Sequence, residues 1–151
     1  MKKRNLKKWM IGLLSLALMF SNLPQVVHAQ DTVHEAGDEA SLRSALSEAE
    51  AGETITLTGS FSLSADIRLE KDVVLDLNGQ TVSLGSNSFQ VRGTAENAIT
   101  VTIRDSGQEG KLTGTDYIID MNAGGADTVR MESGILEGTG YTSSVVRIQS
   151  G

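Results

Sequence analysis

The sequence predicts an all-β protein built as a parallel β-helix, with one amphipathic helix in front of the strands. From Thr54 onwards, apolar and polar residues alternate in runs of three to five residues, which is typical of short strands. Glycines close these runs at spacings of 20, 28, 27 and 17 residues, and spacings of this order indicate stacked repeats. The closing glycines are Gly59, Gly79, Gly107, Gly134 and Gly151. In addition, nearly the same hexapeptide occurs twice, as VRMESG (129–134) and VRIQSG (146–151).

The first 29 residues have the three parts of a secretory signal peptide. MKKRNLKK is basic, WMIGLLSLALMF carries no charge, and SNLPQVVHA ends in the small-residue pattern Val27-x-Ala29. The apolar run is shorter than the roughly 20 residues that span a bilayer, so a membrane anchor is the less favoured alternative. We therefore expect cleavage after Ala29 and a mature N-terminus at Gln30. The signal-peptide pattern predicts a secreted or cell-surface protein, and its long basic start resembles those of Gram-positive bacteria.

Removal of the signal peptide leaves a strongly acidic chain. Residues 30–151 hold 8 Lys and Arg and all 19 Asp and Glu, which gives a formal charge of −11. Nucleic acids and anionic membranes are bound through Lys and Arg, so the charge argues against both as partners. No stable membrane insertion is expected after cleavage. The chain has no Cys, so the core has to stabilise the exported protein without disulfides.

One helix is predicted over about residues 39–51, in a single domain that begins at residue 38. Asp38 is a suitable N-cap, and Gly52 follows the helix as a C′ glycine would. The apolar face of the helix consists of Leu42, Ala45, Leu46 and Ala49, at the spacing of one helical stripe. We expect this stripe to cap one end of the strand stack. Residues 30–37 are expected to be a flexible leader.

The alternating runs after the helix predict which side chains point into the core. Each run is rich in Leu or β-branched residues and ends in Gly, Asn or Ser. The predicted inward residues are Ile55, Leu57, Phe61, Leu63, Ile67, Leu69, Val73, Leu75, Leu77, Val82, Leu84, Phe89, Val91, Ile99, Val101, Ile103, Val129, Met131, Val146 and Ile148.

The repeated hexapeptide predicts how the last rungs stack. If the two copies lie on adjacent parallel strands, equivalent residues become vertical neighbours, with apolar residues inside and arginines outside. The predicted neighbours are Val129 with Val146, Met131 with Ile148, and Arg130 with Arg147. The main alternative is a β-sandwich, which would pair these segments antiparallel and would not by itself predict a repeated hexapeptide.

From Asp38 to the end, the chain resembles the N-terminal cap and first coils of the pectate-lyase-like proteins of bacteria. The resemblance is carried by AGETITLTGSFSLSADIRLEKDVVLDLNGQTVSL (51–84), and its most specific part is VVLDLNGQTV. There Asn78 resembles the turn asparagine that tolerates a left-handed backbone. The family implies a right-handed, single-stranded parallel β-helix with an N-terminal capping helix. It includes polysaccharide lyases, glycosidases and adhesins, so the fold alone does not choose a function.

Outward charges on the predicted strands form the candidate site. If the coils are in register, four of these side chains lie in a stripe along one sheet face. The members of the stripe are Asp76, Arg104, Arg130 and Arg147. We expect the stripe to keep an exposed sheet soluble, because runs of charge usually mark solvated faces.

The resemblance implies a second use for the stripe. Lyases of this fold hold Ca²⁺ with carboxylates, while a basic residue removes the C5 proton of the sugar. Because Ca²⁺ takes six to eight oxygen ligands, one outward Asp is too few, even with Asp105 and Glu132 in nearby turns. We therefore expect no catalytic residues, no metal ligands and no cofactor, with Ca²⁺ as the alternative that the lyases imply.

Other polar clusters are weaker candidates. His34 is the only histidine after the signal peptide, it lies in an acidic leader, and the chain has no Cys, so we expect neither a Ser-His-Asp triad nor a metal site around it. The segment KLTGTDYIIDMNAGGADT (111–128) holds Asp116, Asp120 and Asp127 but lacks the spacing of a calcium loop, so a β-helix turn is expected. No Trp remains after cleavage, which argues against a dedicated carbohydrate-binding module.

Two function classes remain open from the sequence. The first is a non-catalytic secreted or cell-surface scaffold with adhesin-like properties, whose partner is an extracellular polysaccharide or a cell-surface protein. The alternative is the N-terminal part of a polysaccharide lyase or glycoside hydrolase. Because VRIQSG ends with Ile148 inward and no cap follows, we expect the chain to be a fragment of a longer protein.

Overall fold

Short strands make up most of the computed structural model, which describes residues 32–122, 126–140 and 145–149. Within these residues one helix, α1 (Glu39–Glu48), lies between the first two of thirteen strands. The strands are β1 (Val33–Ala36), β2 (Thr54–Leu57), β3 (Phe61–Ser62), β4 (Ile67–Leu69), β5 (Val73–Asp76), β6 (Thr81–Gly85), β7 (Phe89–Val91), β8 (Thr100–Arg104), β9 (Lys111–Gly114), β10 (Ile119–Asn122), β11 (Thr128–Met131), β12 (Ile135–Gly138) and β13 (Val146–Gln149). The predicted signal peptide lies outside the described residues.

The strands form three parallel sheets that the chain visits in turn. Sheet A has the order β1-β2-β5-β8-β11, sheet B the order β3-β6-β9-β12, and sheet C the order β4-β7-β10-β13. Each set of three successive strands from β2 onwards is therefore one coil, and four coils are stacked. The fold is a parallel β-helix with an N-terminal helix, as predicted. The sandwich alternative is wrong, because every strand pair among the described residues is parallel.

The register corrects the predicted stacking of the two hexapeptides. Val129 lies in sheet A, where it pairs with Val101. Val146 lies in sheet C, where it pairs with Ile119. The two hexapeptides therefore belong to the same coil. A full coil is longer than their spacing of 17 residues, because vertical neighbours such as Val101 and Val129 are 28 positions apart.

The N-terminal cap forms largely as predicted. Asp38 accepts a hydrogen bond from the Ser41 backbone at 2.7 Å, and the Ser41 hydroxyl accepts one from the Asp38 backbone at 3.0 Å, which completes a capping box. Leu42, Ala45 and Ala49 are buried. The helix ends at Glu48, three residues earlier than predicted, so Gly52 belongs to the following turn rather than to the helix end.

Two segments that were expected to lack strands contain them. The expected leader includes β1, which pairs with β2 and extends sheet A. The expected turn at 111–128 includes β9 and β10, and a further strand, β12, follows β11. VHEA and KLTG were missed because they carry little apolar alternation, whereas IDMN does alternate but lies among Gly and Asp residues that favoured a turn.

The core lies between the three sheets, and the alternation predicts it well in the first two coils and in sheet A of the third, whereas the buried Leu112, Ile118 and Ile119 of the third coil were not predicted. Ile55, Leu75 and Ile103 are vertical neighbours in sheet A, and each is at most 5% exposed. In the last coil the corresponding Met131 is 40% exposed. Burial of an inward residue therefore depends on the coil in which it lies.

The turn after β5 confirms the role expected for Asn78. Its φ is +46°, and the φ of the following Gly79 is +75°, so both residues adopt the left-handed region. The Asn78 side-chain amide donates to the Leu57 carbonyl of the coil below at 3.0 Å. An asparagine is favoured here because it tolerates the backbone conformation and also joins two coils.

Candidate functional site

Asp76 and Arg104 of the predicted stripe do lie together. They are register neighbours at the ends of β5 and β8, and Arg104 Nε donates to Asp76 Oδ2 at 3.0 Å. The strand alternation directs Asp76 outward, yet it is only 3% exposed. Its other oxygen accepts from the backbone N–H groups of Asn78 at 3.1 Å and Ser106 at 2.9 Å. The carboxylate thus joins the turns of two coils.

The contacts of Asp76 determine its ionisation. Burial raises the pKa of this carboxyl, but the hydrogen bonds from Ser106, Asn78 and Arg104 outweigh burial and leave the pKa below its ordinary value. Asp76 is therefore an anion at neutral pH. It is suited to accepting hydrogen bonds and poorly suited to donating a proton to a substrate.

The other two arginines do not extend this pair into a single stripe. Arg130 pairs in register with Thr102 rather than with Arg104, and its guanidinium lies 3.2 Å from Glu132. Arg147 lies in sheet C, on another face of the β-helix. The predicted four-residue stripe is wrong because the second hexapeptide occupies a different sheet from the first.

A second cluster, centred on Asp120, was not expected from the sequence. Asp120 lies in β10 and is 2% exposed. Arg147, its neighbour in β13, donates to both carboxylate oxygens at 3.0 and 2.8 Å. Arg92, which follows β7, donates to Asp120 Oδ2 at 2.7 Å and to its carbonyl at 2.8 Å. One carboxylate therefore links the second, third and fourth coils, and we call these three residues the Asp120 clamp.

The clamp is a strongly ionised arrangement. The hydrogen bonds from Arg147 lower the pKa of Asp120, burial opposes this effect, and Arg92 adds to the lowering. The same contact raises the pKa of Arg147 above its already high value. The Arg147 guanidinium also lies 4.1 Å from the centre of the Tyr117 ring, within cation–π distance. Sequence analysis placed Asp120 in a turn, so its arginine partners could not be recognised.

Several other aspartates cap backbone N–H groups in the turns. Asp105 accepts from the N–H groups of Gly79 at 2.7 Å and Gly110 at 2.8 Å. Asp127 accepts from those of Gly93 at 2.9 Å and Ile99 at 3.0 Å. Buried backbone donors need partners, and these carboxylates supply them where the chain turns between sheets. Many of the carboxylates of the chain therefore accept hydrogen bonds within its own turns.

The histidine contributes to the N-terminal end rather than to a reactive site. His34 Nε2 lies 3.0 Å from Glu53 Oε2, so the pair connects β1 to the start of β2. Glu53 also accepts from the Glu50 backbone at 2.8 Å, and this bond, followed by that of His34, lowers its pKa. Among the described residues, no group of three His, Cys, Asp or Glu side chains is placed to hold a metal ion.

A groove between α1 and β4 has a volume of about 480 Å³. It is lined by Arg43, Leu46, Ser47, Ile67, Arg68, Glu70 and Lys71. Arg43 donates to the carbonyls of Ala65 at 2.9 Å and Asp66 at 3.1 Å. Lys71 donates to the carbonyls of Ser47 and Ala49 at the end of the helix. These cations hold the helix on the first coil.

Comparisons with known proteins add no functional assignment to this geometry. No protein-family model matches the chain, and no curated protein or solved structure is significantly similar to it. No helix in the described part of the chain is long and apolar enough to cross a membrane. The fold thus defines the class of the protein, a parallel β-helix with an N-terminal helix, and the side-chain contacts carry the argument about function.

Proposed function

We propose that this protein is a non-catalytic, secreted or cell-surface scaffold with adhesin-like properties. The observation that supports the proposal best is the use of its buried carboxylates. Asp76 and Asp120 each have both oxygens occupied by donors from neighbouring coils. Side chains that hold the stack together in this way are not available to bind or protonate a substrate.

The ionisation of these groups supports the same reading. A general acid works best with a pKa near the operating pH, whereas the pKa values of Asp76 and Asp120 are both lowered. Asp120 raises the pKa of Arg147, so this guanidinium stays charged and is not a proton acceptor at neutral pH. The arrangement stabilises a rigid stack whose outer faces are free to contact a partner.

The proposed location and family rest on the sequence. The signal-peptide pattern of residues 1–29 supports export. The V-x-L-x-L run followed by Asn78 and Gly79 supports a relationship to the pectate-lyase-like β-helix proteins of bacteria. The proposed partner is an extracellular polysaccharide or a protein of a cell surface.

The proposal is tested by assaying the purified chain against pectate, alginate, heparin and xylan, with and without Ca²⁺. We expect neither unsaturated sugar products, measured by ultraviolet absorbance, nor new reducing ends. Co-sedimentation with one of these polymers without turnover would agree with a scaffold that binds polysaccharide. Ca²⁺-dependent turnover that Asp76→Ala or Arg104→Ala abolishes, and that the exposed control Glu70→Ala leaves unchanged, would show the lyase alternative to be correct.

A further inference from the structure

The turn after β5 contains an Asn-Gly pair, a sequence at which asparagine readily modifies itself. In Asn78–Gly79 the side-chain amide is followed by a backbone nitrogen whose residue has no Cβ to hinder its approach. In a freely moving chain this nitrogen can attack the side-chain carbonyl carbon and close a succinimide ring. The turn is therefore a potential modification site, and its surroundings determine whether the reaction can start.

Both reacting groups are held by neighbouring coils. The Asn78 side-chain nitrogen donates to the carbonyl of Leu57 in the coil below at 3.0 Å. The Gly79 backbone nitrogen donates to Asp105 Oδ1 in the coil above at 2.7 Å. A carboxylate in this position also opposes loss of the amide proton, because it disfavours a second negative charge beside it.

The peptide bond between the two residues is also covered by the coil above. A Cβ added to Gly107 would collide with the Gly79 nitrogen and the Asn78 carbonyl carbon, so the Gly107 backbone packs directly on this bond. Ring closure requires rotation about the Asn78 Cα–C bond, which moves the covered peptide unit. The reaction therefore requires the coils to separate locally.

We propose that Asn78–Gly79 is a self-modification site that coil stacking keeps unreactive and that separation of the second and third coils allows to react. The Gly79 nitrogen then bonds to Asn78 Cγ, the Cγ–Nδ2 bond breaks, and ammonia leaves with the proton that the Gly79 nitrogen loses. Water opens the resulting ring at either of its carbonyls. Breaking the bond to Cγ gives an aspartate, and breaking the bond to the main-chain carbonyl carbon gives an isoaspartate with an extra main-chain carbon.

The product cannot restore the contacts that held the turn. An ionised carboxylate at position 78 has no proton to donate to the Leu57 carbonyl. It also adds a negative charge close to Asp76 and Asp105, which both accept hydrogen bonds from this turn. Because the reaction consumes the asparagine, closing the coils again does not reverse it. A transient opening is thus converted into the permanent loss of a contact between coils.

The first experiment compares the reaction in the folded and the unfolded chain. The full chain is incubated in mildly alkaline buffer, with and without enough guanidinium chloride to unfold it. Mass spectrometry of proteolytic peptides measures asparagine, aspartate and isoaspartate at position 78. We expect conversion to be at least about tenfold slower in the folded chain, since two hydrogen bonds of ordinary net strength have to open first. Equal rates in the two conditions would overturn the proposal.

Two alanine variants test whether the local contact is responsible. Asp105→Ala removes the acceptor of the Gly79 N–H, whereas the matched control Asp127→Ala removes a carboxylate that accepts backbone hydrogen bonds in another turn. Circular dichroism shows whether each variant is folded, and the rates are compared without denaturant. We expect Asn78 to react faster in Asp105→Ala and at the unaltered rate in Asp127→Ala.

Two results with the variants would contradict this expectation. Equal rates in the two folded variants would show that the Asp105 contact does not control the site. Slower conversion in Asp105→Ala would show that this carboxylate promotes the attack by accepting the proton. The comparison of folded and unfolded unaltered chain tests the proposal even if a variant fails to fold.

The second experiment tests whether the product destabilises the stack. Asn78→Asp reproduces the aspartate product, and Asn97→Asp makes the same change at an exposed position. We expect the urea midpoint, followed by circular dichroism, to fall for Asn78→Asp and to stay close to that of the unaltered chain for Asn97→Asp. Equal midpoints for the two variants would show that the turn accommodates the product, and the one-way step would be wrong.

Discussion

The two ends of the stack are built from similar sequence patterns but bury them to different extents. At the N-terminal end, β1 and α1 cover the first coil, and Ile55, Leu57 and Leu42 are fully buried. In the last coil, Met131 and Ile148 follow the same alternation and remain exposed. The difference shows that alternation sets the direction of a side chain, whereas its burial depends on what is stacked against it.

The largest expected difference between the two regions is in how much an inward-facing side chain contributes to the free energy of unfolding. Ile103→Ala removes a 1% exposed side chain from the third coil, and we expect it to lower the free energy of unfolding by about 2 to 5 kcal/mol. The same change at Ile148, which is 68% exposed, should lower it by less than about 0.5 kcal/mol. Urea unfolding measures both changes in stability. Equal losses would show that the last coil is as well packed as the third.

The next largest effect concerns the Asp120 clamp, which ties the last coil to the stack. Asp120→Ala leaves Arg92 and Arg147 without their shared acceptor, and we expect a loss of about 1 to 3 kcal/mol in urea unfolding. Glu70→Ala is the matched control, because it breaks an ion pair to Arg68 whose side chains are both more than 60% exposed. Exposed ion pairs contribute little to stability, so the control should be about as stable as the unaltered chain. An Asp120→Ala variant as stable as the control would show that the clamp contributes no net stability.

A smaller effect is expected from acid, which protonates the carboxylates without removing them. The pKa of Glu39 at the N-terminal end is lowered from 4.5 to about 2, first by its bond to Arg43, and the pKa of Asp120 is lowered from 3.8. The unfolded chain, with its higher pKa values, therefore binds protons first, and stability falls as the pH drops below about 4. Above that range these groups contribute their full stability.

The urea midpoint measured against pH tests this expectation, with Asp120→Asn as the variant. We expect the midpoint of the unaltered chain to be flat above about pH 5 and to decline in acid. The variant should start lower and decline less steeply, since one of the titrating groups is missing. Identical pH profiles for the two proteins would show that Asp120 does not contribute to the acid response.

Much of the fold followed from the sequence because its signals are local. A period of two sets the inward face of a strand, and a capping box or an Asn-Gly turn is complete within a few residues, as at Asp38 and Asn78. Stacking was harder to predict because it depends on coil length. The similarity of the two hexapeptides suggested vertical neighbours, but they lie in sheets A and C of one coil, with β12 of sheet B between them.

The candidate site was predicted less well for the same reason. Asp76 and Arg104 were placed together correctly because both end strands with strong alternation in the same sheet. Arg147 was assigned to the wrong face, and Asp120 was assigned to a turn. Their contact joins residues 27 positions apart, and it becomes visible only when the sheet of each strand is known.

Hydrogen exchange of backbone amides, measured by NMR on dilute protein, tests most directly the claim that coverage of a coil determines its stability. We expect amides of β2, β5 and β8 to exchange slowly, since they lie between other strands of sheet A, and amides of β11, β12 and β13 to exchange much faster. Protection of the last coil equal to that of the inner coils would contradict the account.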